Sequence, residues 1–410
     1  MAYKYLKPED IANKTVLLRV DLNEEVDEHA KLLDDFRLLS ILPTVKFLRK
    51  HNAKVVILSH MGRPEGKWNM DMSLKPMGER LAELMKIKFV ETDGNVPDYP
   101  INHLVFVNCD ITKTKTQKCV KDIADKDIVL LENLRFYPGE EENSAKFAKV
   151  LCGLGDVYVD DAFAVTHRSC ASIVAITECM PSFVGPLLEK EIKNLDYVAT
   201  KSKKPFVLMM GGIKISDKAK TLERLGAHAD HILIGGGLAN IFFSAEGLGI
   251  GESVIEKESI QLAWTILKNF KHKLVLPKDV AVFDTNNPKE TAIVKNRYDV
   301  KPSEKICDIG PKTILEYSKI LKGASTICWN GPLGYFEKKP FRTGTMALAK
   351  IVGAVSKRKA FGAVGGGETV AAVRQAHQLE NIDHVSTGGG AMLEYLAGNE
   401  LPGLKALEKK

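Results

Sequence analysis

Short apolar runs recur along the chain, and they keep ending in residues that can hold a phosphate. TVLLRVDLN (Thr15–Asn23), KVVILSHMGRP (Lys54–Pro64) and DIVLLENLRF (Asp127–Phe136) end in cations and polar acceptors. PFVLMMGGIK (Pro205–Lys214), HILIGGGLAN (His231–Asn240), AFGAVGGGET (Ala360–Thr369) and HVSTGGGAML (His384–Leu393) end in glycines. Runs this short, bounded by such turns, are expected to be buried strands of a parallel sheet. In open α/β sheets ligands collect beyond the carboxyl ends of the strands. One half of the chain is therefore predicted to take a small, strongly anionic ligand on side chains. The other half is predicted to take a phosphate chain on bare backbone.

Helical periodicity fills the gaps between these runs. The spacing predicts helices over Arg37–His51, over Ser73–Lys86 with Ser73 as its cap, and over Ser144–Gly155, which ends on glycine. SDKAKTLERLGAHA, IEKESIQLAWTILKNF and TGTMALAKIVGAVSKR repeat the pattern after the midpoint. Alternating β and α segments predict an α/β protein with doubly wound parallel sheets and right-handed crossovers. A chain of 410 residues exceeds what one core usually fills, so two Rossmann-like domains are expected. GPLLEKEIKNLDYVAT (Gly185–Thr200) reads as a polar-faced helix between them. That gives domains 1–185 and 186–398, with an interdomain helix at about 186–200 acting as a hinge. An ordinary surface helix is the alternative reading.

Charge narrows the ligand. The balance is +6, from 58 Lys and Arg against 52 Asp and Glu. The arginines stand singly at strand ends and not in a stripe, which favours small anions over nucleic acid. The seven cysteines include no CxxC and no zinc spacing, so free thiols in a reducing compartment are expected. MAYKYLKPEDIANK has no apolar signal region, and no apolar run is long enough to span a bilayer. The cytoplasm is the expected location.

In the first half, Asp21, Asn23, Arg37, His60, Arg63, Arg135, His167 and Arg168 each lie at or just past a strand-like run. A lone Arg in such a place is usually a surface charge. Several on one sheet edge would converge on a single cleft, where guanidinium forks match phosphate and carboxylate. Asp21 and Asn23 would accept from ligand hydroxyls or orient the arginines. In the second half, Gly211-Gly212, Gly235-Gly236-Gly237, Gly365-Gly366-Gly367 and Gly388-Gly389-Gly390 each precede a helical pattern. Glycine admits a phosphate to the backbone, and a following helix N-terminus offers free N–H groups. Lys214 and Lys218, at i and i+4, would share a face at a helix start. Glu368 could approach a Mg²⁺ carried by nucleotide phosphates, or simply favour its helix dipole. WNGPLGYFE (Trp329–Glu337) would suit an adenine or ribose pocket. No GxxxxGK[ST], no strand-linked GxGxxG and no HRD or DFG triplet is present, which disfavours a P-loop enzyme, a dehydrogenase and a protein kinase. A two-lobed anion-binding protein without chemistry is the rival from another class. It would have little use for four glycine turns and the lysine pair.

RVDLN (Arg19–Asn23), SHMGRP (Ser59–Pro64), LLENLRF (Leu130–Phe136), DAFAVTHR (Asp161–Arg168), GGIKISDK (Gly211–Lys218), WNGPLGYFE and STGGGA (Ser386–Ala391) occur together and in order. In this the chain resembles the phosphoglycerate kinase family over essentially its whole length. The resemblance implies reversible phosphoryl transfer from 1,3-bisphosphoglycerate to ADP, giving 3-phosphoglycerate and MgATP, between lobes that close by a hinge. It implies that Asp21, Asn23, Arg37, His60, Arg63, Arg135 and Arg168 bind the glycerate acid. Gly212, Lys218, Gly236, Gly310, Asn330, Glu337, Gly366, Gly367, Glu368 and Thr369 would serve the nucleotide, with Glu368 toward the metal. Arg37, Lys214, Lys218 and Gly389 would act on the transferring group. A monomer without nucleic-acid or membrane partners is implied, with the segment at about 399–410 returning to the first lobe. Three positions depart from the family pattern: Glu368 replaces Asp, Cys170 replaces a second His, and Glu24-Glu25 replaces Val-Pro.

Overall fold

The computed structural model describes residues 3–29, 31–96, 102–287 and 291–409. The chain divides into two compact units within the helix Pro186–Thr200. The first runs to Ile192 and regains the chain from Glu400; the second spans Lys193–Asn399.

The first unit is built on a seven-stranded sheet. Its strands are β1 (Thr15–Arg19), β2 (Lys54–Leu58), β3 (Lys88–Thr92), β4 (His103–Val107), β5 (Ile128–Leu131), β6 (Val157–Asp160) and β7 (Ser182–Val184). Their spatial order is β3-β4-β5-β2-β1-β6-β7, and every pairing is parallel. The unbroken apolar runs follow from burial on both faces. Val16, Leu18, Val55, Ile57, Phe106 and Leu130 enter one core cluster. Their alternating neighbours Leu17, Val56, Leu58, Val105, Val129 and Leu131 enter the other.

The second unit holds a six-stranded parallel sheet, comprising β8 (Phe206–Met210), β9 (His231–Ile234), β10 (Leu274–Val275), β14 (Thr326–Asn330), β15 (Phe361–Gly365) and β16 (His384–Val385). Its order is β10-β9-β8-β14-β15-β16. Beside it lies an element the alternation did not foresee. β11 (Asp279–Asp284), β12 (Ile293–Asn296) and β13 (Glu304–Ile309) form a small antiparallel sheet, in order β12-β11-β13. β12 is largely exposed, so it lacks the apolar run that marks the other strands.

Helix boundaries shifted where tertiary partners intervened. The first long helix is Phe36–Lys50. Ser144 caps Ala145–Cys152 by accepting the Phe147 N–H. Ser73 does not cap the next predicted helix, which runs Lys75–Met85 from Leu74. Its hydroxyl accepts the Lys75 N–H at 3.1 Å and donates to the buried Glu132 at 2.7 Å, and Glu132 also accepts the Leu74 N–H. The expectation of free thiols is corrected as well. Cys152 and Cys179 form a disulfide with Cα atoms 6.4 Å apart. The end of Ala145–Cys152 meets the 3₁₀ turn Ala175–Glu178, a contact that spacing along the chain does not announce. The other five cysteines are free. Among the described residues no helix is long and apolar enough to cross a membrane.

Candidate active site

The carboxyl ends of β1, β2, β5 and β6 deliver the charged residues of the first unit. Arg19, the last residue of β1, is only 2% exposed. Its Nε donates to Ser172 Oγ at 2.9 Å, its Nη1 donates to the Val20 carbonyl, and its Nη2 donates to His60 Nδ1 at 3.1 Å. Ser172 passes the contact on, donating to Glu140 Oε1 at 2.6 Å. Arg135 is 5% exposed and donates to the Gly62 carbonyl at 2.6 Å, with Glu141 3.4 Å from its Nε. Asn133 fixes that turn, donating to the Met61 and Met72 carbonyls and accepting the Arg135 N–H.

His60 reports the convergence. Its proton affinity is held well below the usual histidine value, first by burial and then by Arg19, Arg135, Arg37 and Arg168. Four guanidinium groups therefore act on one imidazole. Burial, reinforced by Arg168, also lowers the proton affinity of Arg135. Acids are threaded between these cations. Asp21 accepts from Arg37 Nη1, and its backbone-directed Oδ1 accepts the Asn23 N–H at 3.1 Å. Asn23 accepts the Gly62 N–H at 2.8 Å, so it anchors the turn that carries Arg63. Arg63 is exposed and makes no ion pair among the described residues. Arg168 is half-buried beside His167, 3.4 Å from its Nε2. Cys170 is buried with Ala162, Val165 and Ile173, and its thiol is pushed up to about 11, mainly by that burial. At this position the chain thus presents a neutral apolar group.

A separate cavity of 610 Å³ opens at the other end of β1 and β2, lined by Lys14, Lys46, Arg49, Lys50 and Lys54. Several of these cations have a structural task. Arg49 and Lys50 occupy the last turn of Phe36–Lys50, and Lys54 Nζ donates to the carbonyls of Lys121 and Ile123.

In the second unit the glycine turns are knitted to one another. Gly212 N–H donates to the Pro332 carbonyl at 2.9 Å, Gly236 N–H to Leu333 at 2.8 Å, and Leu238 N–H to Gly212 at 2.7 Å. A Cβ on Gly211 would collide with the Pro332 carbonyl, so a bare backbone is required there. These first two turns spend their N–H groups on packing. The turn after β15 is different. Gly366, at φ +93°, adopts a conformation costly for any L side chain and opens the helix Gly367–Gln375. Nothing lies within 4 Å of a Cβ built on Gly367 or on Gly389, the residue that opens Gly389–Ala397. Asn330 braces this region by donating to the Gly365 carbonyl at 3.0 Å, and Thr369 accepts the Gly331 N–H at 2.8 Å.

Lys218 lies against Gly212, its Nζ 3.3 Å from a Cβ built there. Burial lowers its proton affinity, opposed by Asp217, Glu368 and Glu256. The proton affinity of Glu368 is raised by burial and then by Glu337, to which it hydrogen-bonds, with Lys218 opposing. Gly212, Lys218, Asn330, Glu337, Gly366, Gly367, Glu368 and Thr369 are thus linked. Lys214 is exposed in a loop that precedes Ala219–His228, so the two lysines do not share a helix face as expected. Glu256 ties that loop down, accepting the Ile215 and Ser216 N–H groups and the Ser216 hydroxyl. Gly310 follows β13 and donates to the Asp279 carbonyl at 2.9 Å. Trp329, which begins the stretch expected to suit an adenine or ribose pocket, is wholly buried and donates to the Gly331 carbonyl.

Sequence reasoning missed Arg19, Glu140, Ser172 and Glu256 as site residues. Arg19 ends an apolar run just as Arg135 follows one, so its signal was present. The other three act across long sequence separations and carried none.

Guanidinium groups at one parallel-sheet edge and lysines with helix-opening glycines at another define a phosphoryl-transfer enzyme of the two-unit α/β class. Residues 6–399 match the phosphoglycerate kinase family model. The phosphoglycerate kinase of Chloroflexus aggregans is 40% identical over 415 residues, covering 100% of this chain and 99% of that protein. That of Borrelia garinii is 40% identical over 401 residues, covering 97% of each. The phosphoglycerate kinase structure from Coxiella burnetii matches with a TM-score of 0.80 at 36% identity over 99% of both chains. The one from Pyrococcus horikoshii matches at 0.82 and 32% identity over 97% of both. The chain belongs to the phosphoglycerate kinase family. It is a glycolytic phosphotransferase with a carboxyl group as acceptor, exchanging a phosphoryl group between 1,3-bisphosphoglycerate and ADP.

Proposed function

We propose that the first unit holds the glycerate acid on Arg37, Arg63, Arg135 and Arg168, with Asp21, Asn23 and His60 orienting it. The observation that supports this is the action of Arg37, Arg135 and Arg168, together with Arg19, on the buried His60. Neutral His60 accepts from Arg19, which leaves its other ring nitrogen to face a ligand. The second unit holds the nucleotide, its phosphates at the opening of Gly367–Gln375 with Lys214, Lys218 and Gly389. Gly310, Gly236 and Glu337 serve the rest of the nucleotide.

Mg²⁺ arrives as part of the nucleotide substrate and spreads the charge of its phosphates. Glu368, whose proton affinity burial and then the neighbouring Glu337 raise, forms with Glu337 a fitting donor set for a hard cation. The extra methylene of Glu368 lets it reach the ion from a different distance than Asp would.

Transfer needs positioning and charge stabilisation more than covalent help. Arg37 and Lys214 stabilise the oxygens of the group in transit, and hinge closure within Pro186–Thr200 excludes water from the acyl phosphate. The protein acts as a cytoplasmic monomer. Coupled measurement of ATP formation from ADP and 1,3-bisphosphoglycerate tests the assignment. Arg37→Ala and Lys214→Ala should each lower turnover at least a hundredfold, on the order of 3–4 kcal/mol in the barrier. Near-normal turnover in either folded variant overturns its role.

A further inference from the structure

Arg37 is gripped by two carboxylates that reach it from different directions. Asp21 accepts from its Nη1. Glu24 accepts its backbone N–H at 2.6 Å through Oε1 and places Oε2 3.9 Å from its Nε. Asp35 at the N-cap position makes no side-chain cap hydrogen bond, so Glu24 meets a helix N–H that the cap leaves open. Glu24 is also 9% exposed, one of the few buried acids here with a cation at hand. The charges facing it are Arg37 from the helix, Asp34 from the segment before the helix, and Asp21 from the exit of β1. Burial outweighs the pull of Arg37 and, with the two like charges, pushes the Glu24 carboxyl up to about 7. An anion seated on Arg37 would add a third like charge and draw the guanidinium away.

We propose that Glu24 takes up a proton from solvent when an anionic substrate seats on Arg37, so that the ligand's charge replaces the carboxylate's beside the guanidinium. This rests on Arg37 being a substrate-site cation. One carboxylate and one proton, supplied by the buffer, become one carboxylic acid, and no covalent bond to the ligand forms. The protonated carboxyl keeps a carbonyl oxygen for the Arg37 N–H, so the helix start survives in both states while the side chain is released. Glu24 acts through Arg37 and is a positioning residue. By linkage, the form that binds the anion better is the protonated one, so affinity tightens as pH falls through about 7.

Titration calorimetry of the full chain with 3-phosphoglycerate, in two buffers of different ionisation enthalpy from pH 6 to 8.5, tests this. The ligand's own phosphate titrates equally with wild type and with Glu24→Gln, so the difference isolates Glu24. Wild type should take up about half a proton more per bound ligand near neutrality. Its affinity should also fall about tenfold more than that of Glu24→Gln across the range. Equal proton counts and parallel affinity profiles overturn the proposal. Should Glu24→Gln not fold, sulfate, which does not titrate in this range, replaces the ligand on wild type. Proton uptake on sulfate binding supports the proposal, and its absence overturns it. Failure of the underlying assignment looks different: Arg37→Ala would then bind 3-phosphoglycerate as tightly as wild type does.

Discussion

The two units prepare for an anion by opposite means. In the first, the proposed site is built of charged side chains, and its cations are balanced by nearby carboxylates. Asp21 and Glu24 attend Arg37, Glu141 attends Arg135, and Glu140 reaches Arg19 through Ser172. In the second, the proposed site beside Lys214 and Lys218 is built on glycine main chain, which carries no net charge. There the requirement is steric, and glycine meets it: Gly211 lies against the Pro332 carbonyl, and Gly367 opens onto unoccupied space. A site of buried charges is therefore fragile to the loss of a partner. A site of bare backbone is fragile to the gain of a methyl group.

The sharpest way to break this contrast is Arg19→Met. It would leave Ser172, His60 and the Val20 carbonyl without their buried donor and should destabilise the protein by about 3–5 kcal/mol. Urea unfolding measures this, and a loss below about 1 kcal/mol would show that the network does not depend on the cation. Gly211→Ala comes next. Its methyl group overpacks the turn and should lower stability by about 1–3 kcal/mol in thermal unfolding. Gly367→Ala is the matched control in the same unit. Stability should hold within about 1 kcal/mol, because the new methyl group meets nothing, while the KM for ADP rises. Equal effects of the two glycine substitutions on stability would erase the distinction between packing and binding glycines.

Asp160→Asn probes the cost of buried charge. Burial pushes the Asp160 carboxyl up to about 7, and its Oδ2 has no hydrogen-bond partner among the described residues. Its folded value lies above its unfolded one, so the native state holds the extra proton between about pH 4 and 7. The stability this contributes is complete at low pH and is lost as pH rises to about 7. The stability of Asp160→Asn relative to wild type should therefore increase by about 2–3 kcal/mol between pH 5 and 8. A constant difference would place the proton elsewhere. The smallest expected effect is that of Ser144→Ala. Losing its cap on Ala145–Cys152 should cost about 1 kcal/mol and leave activity unchanged.

Much of the molecule was legible because its strands are buried on both faces. TVLLRVDLN and PFVLMMGGIK declare themselves by unbroken apolar character followed by a change in chemistry, and β1 and β8 lie there. β12 was not legible, since IVKN is exposed and short. The helix read over Ser144–Gly155 is present as Ala145–Cys152, with Ser144 as its cap. The cap read at Ser73 falls instead one residue on, at Leu74, and the Ser73 hydroxyl is shared between the Lys75 N–H and the distant Glu132. Lys214 and Lys218 were misread as helical neighbours because Glu256 bends the loop between them. WNGPLGYFE was read as one nucleoside pocket, and its first residue, Trp329, is core.

The amino-acid sequence alone determined the α/β class, the family and the division between a cationic half and a glycine-rich half. Those depend on local patterns, namely apolar runs, turn residues and ordered motifs. Only the tertiary structure decided which charges are paired. Arg19, His60, Asp21 and Arg37 draw their properties from burial and from neighbours on other strands. Electrostatic energy depends on distance and desolvation, and neither is written in the spacing of residues along a chain.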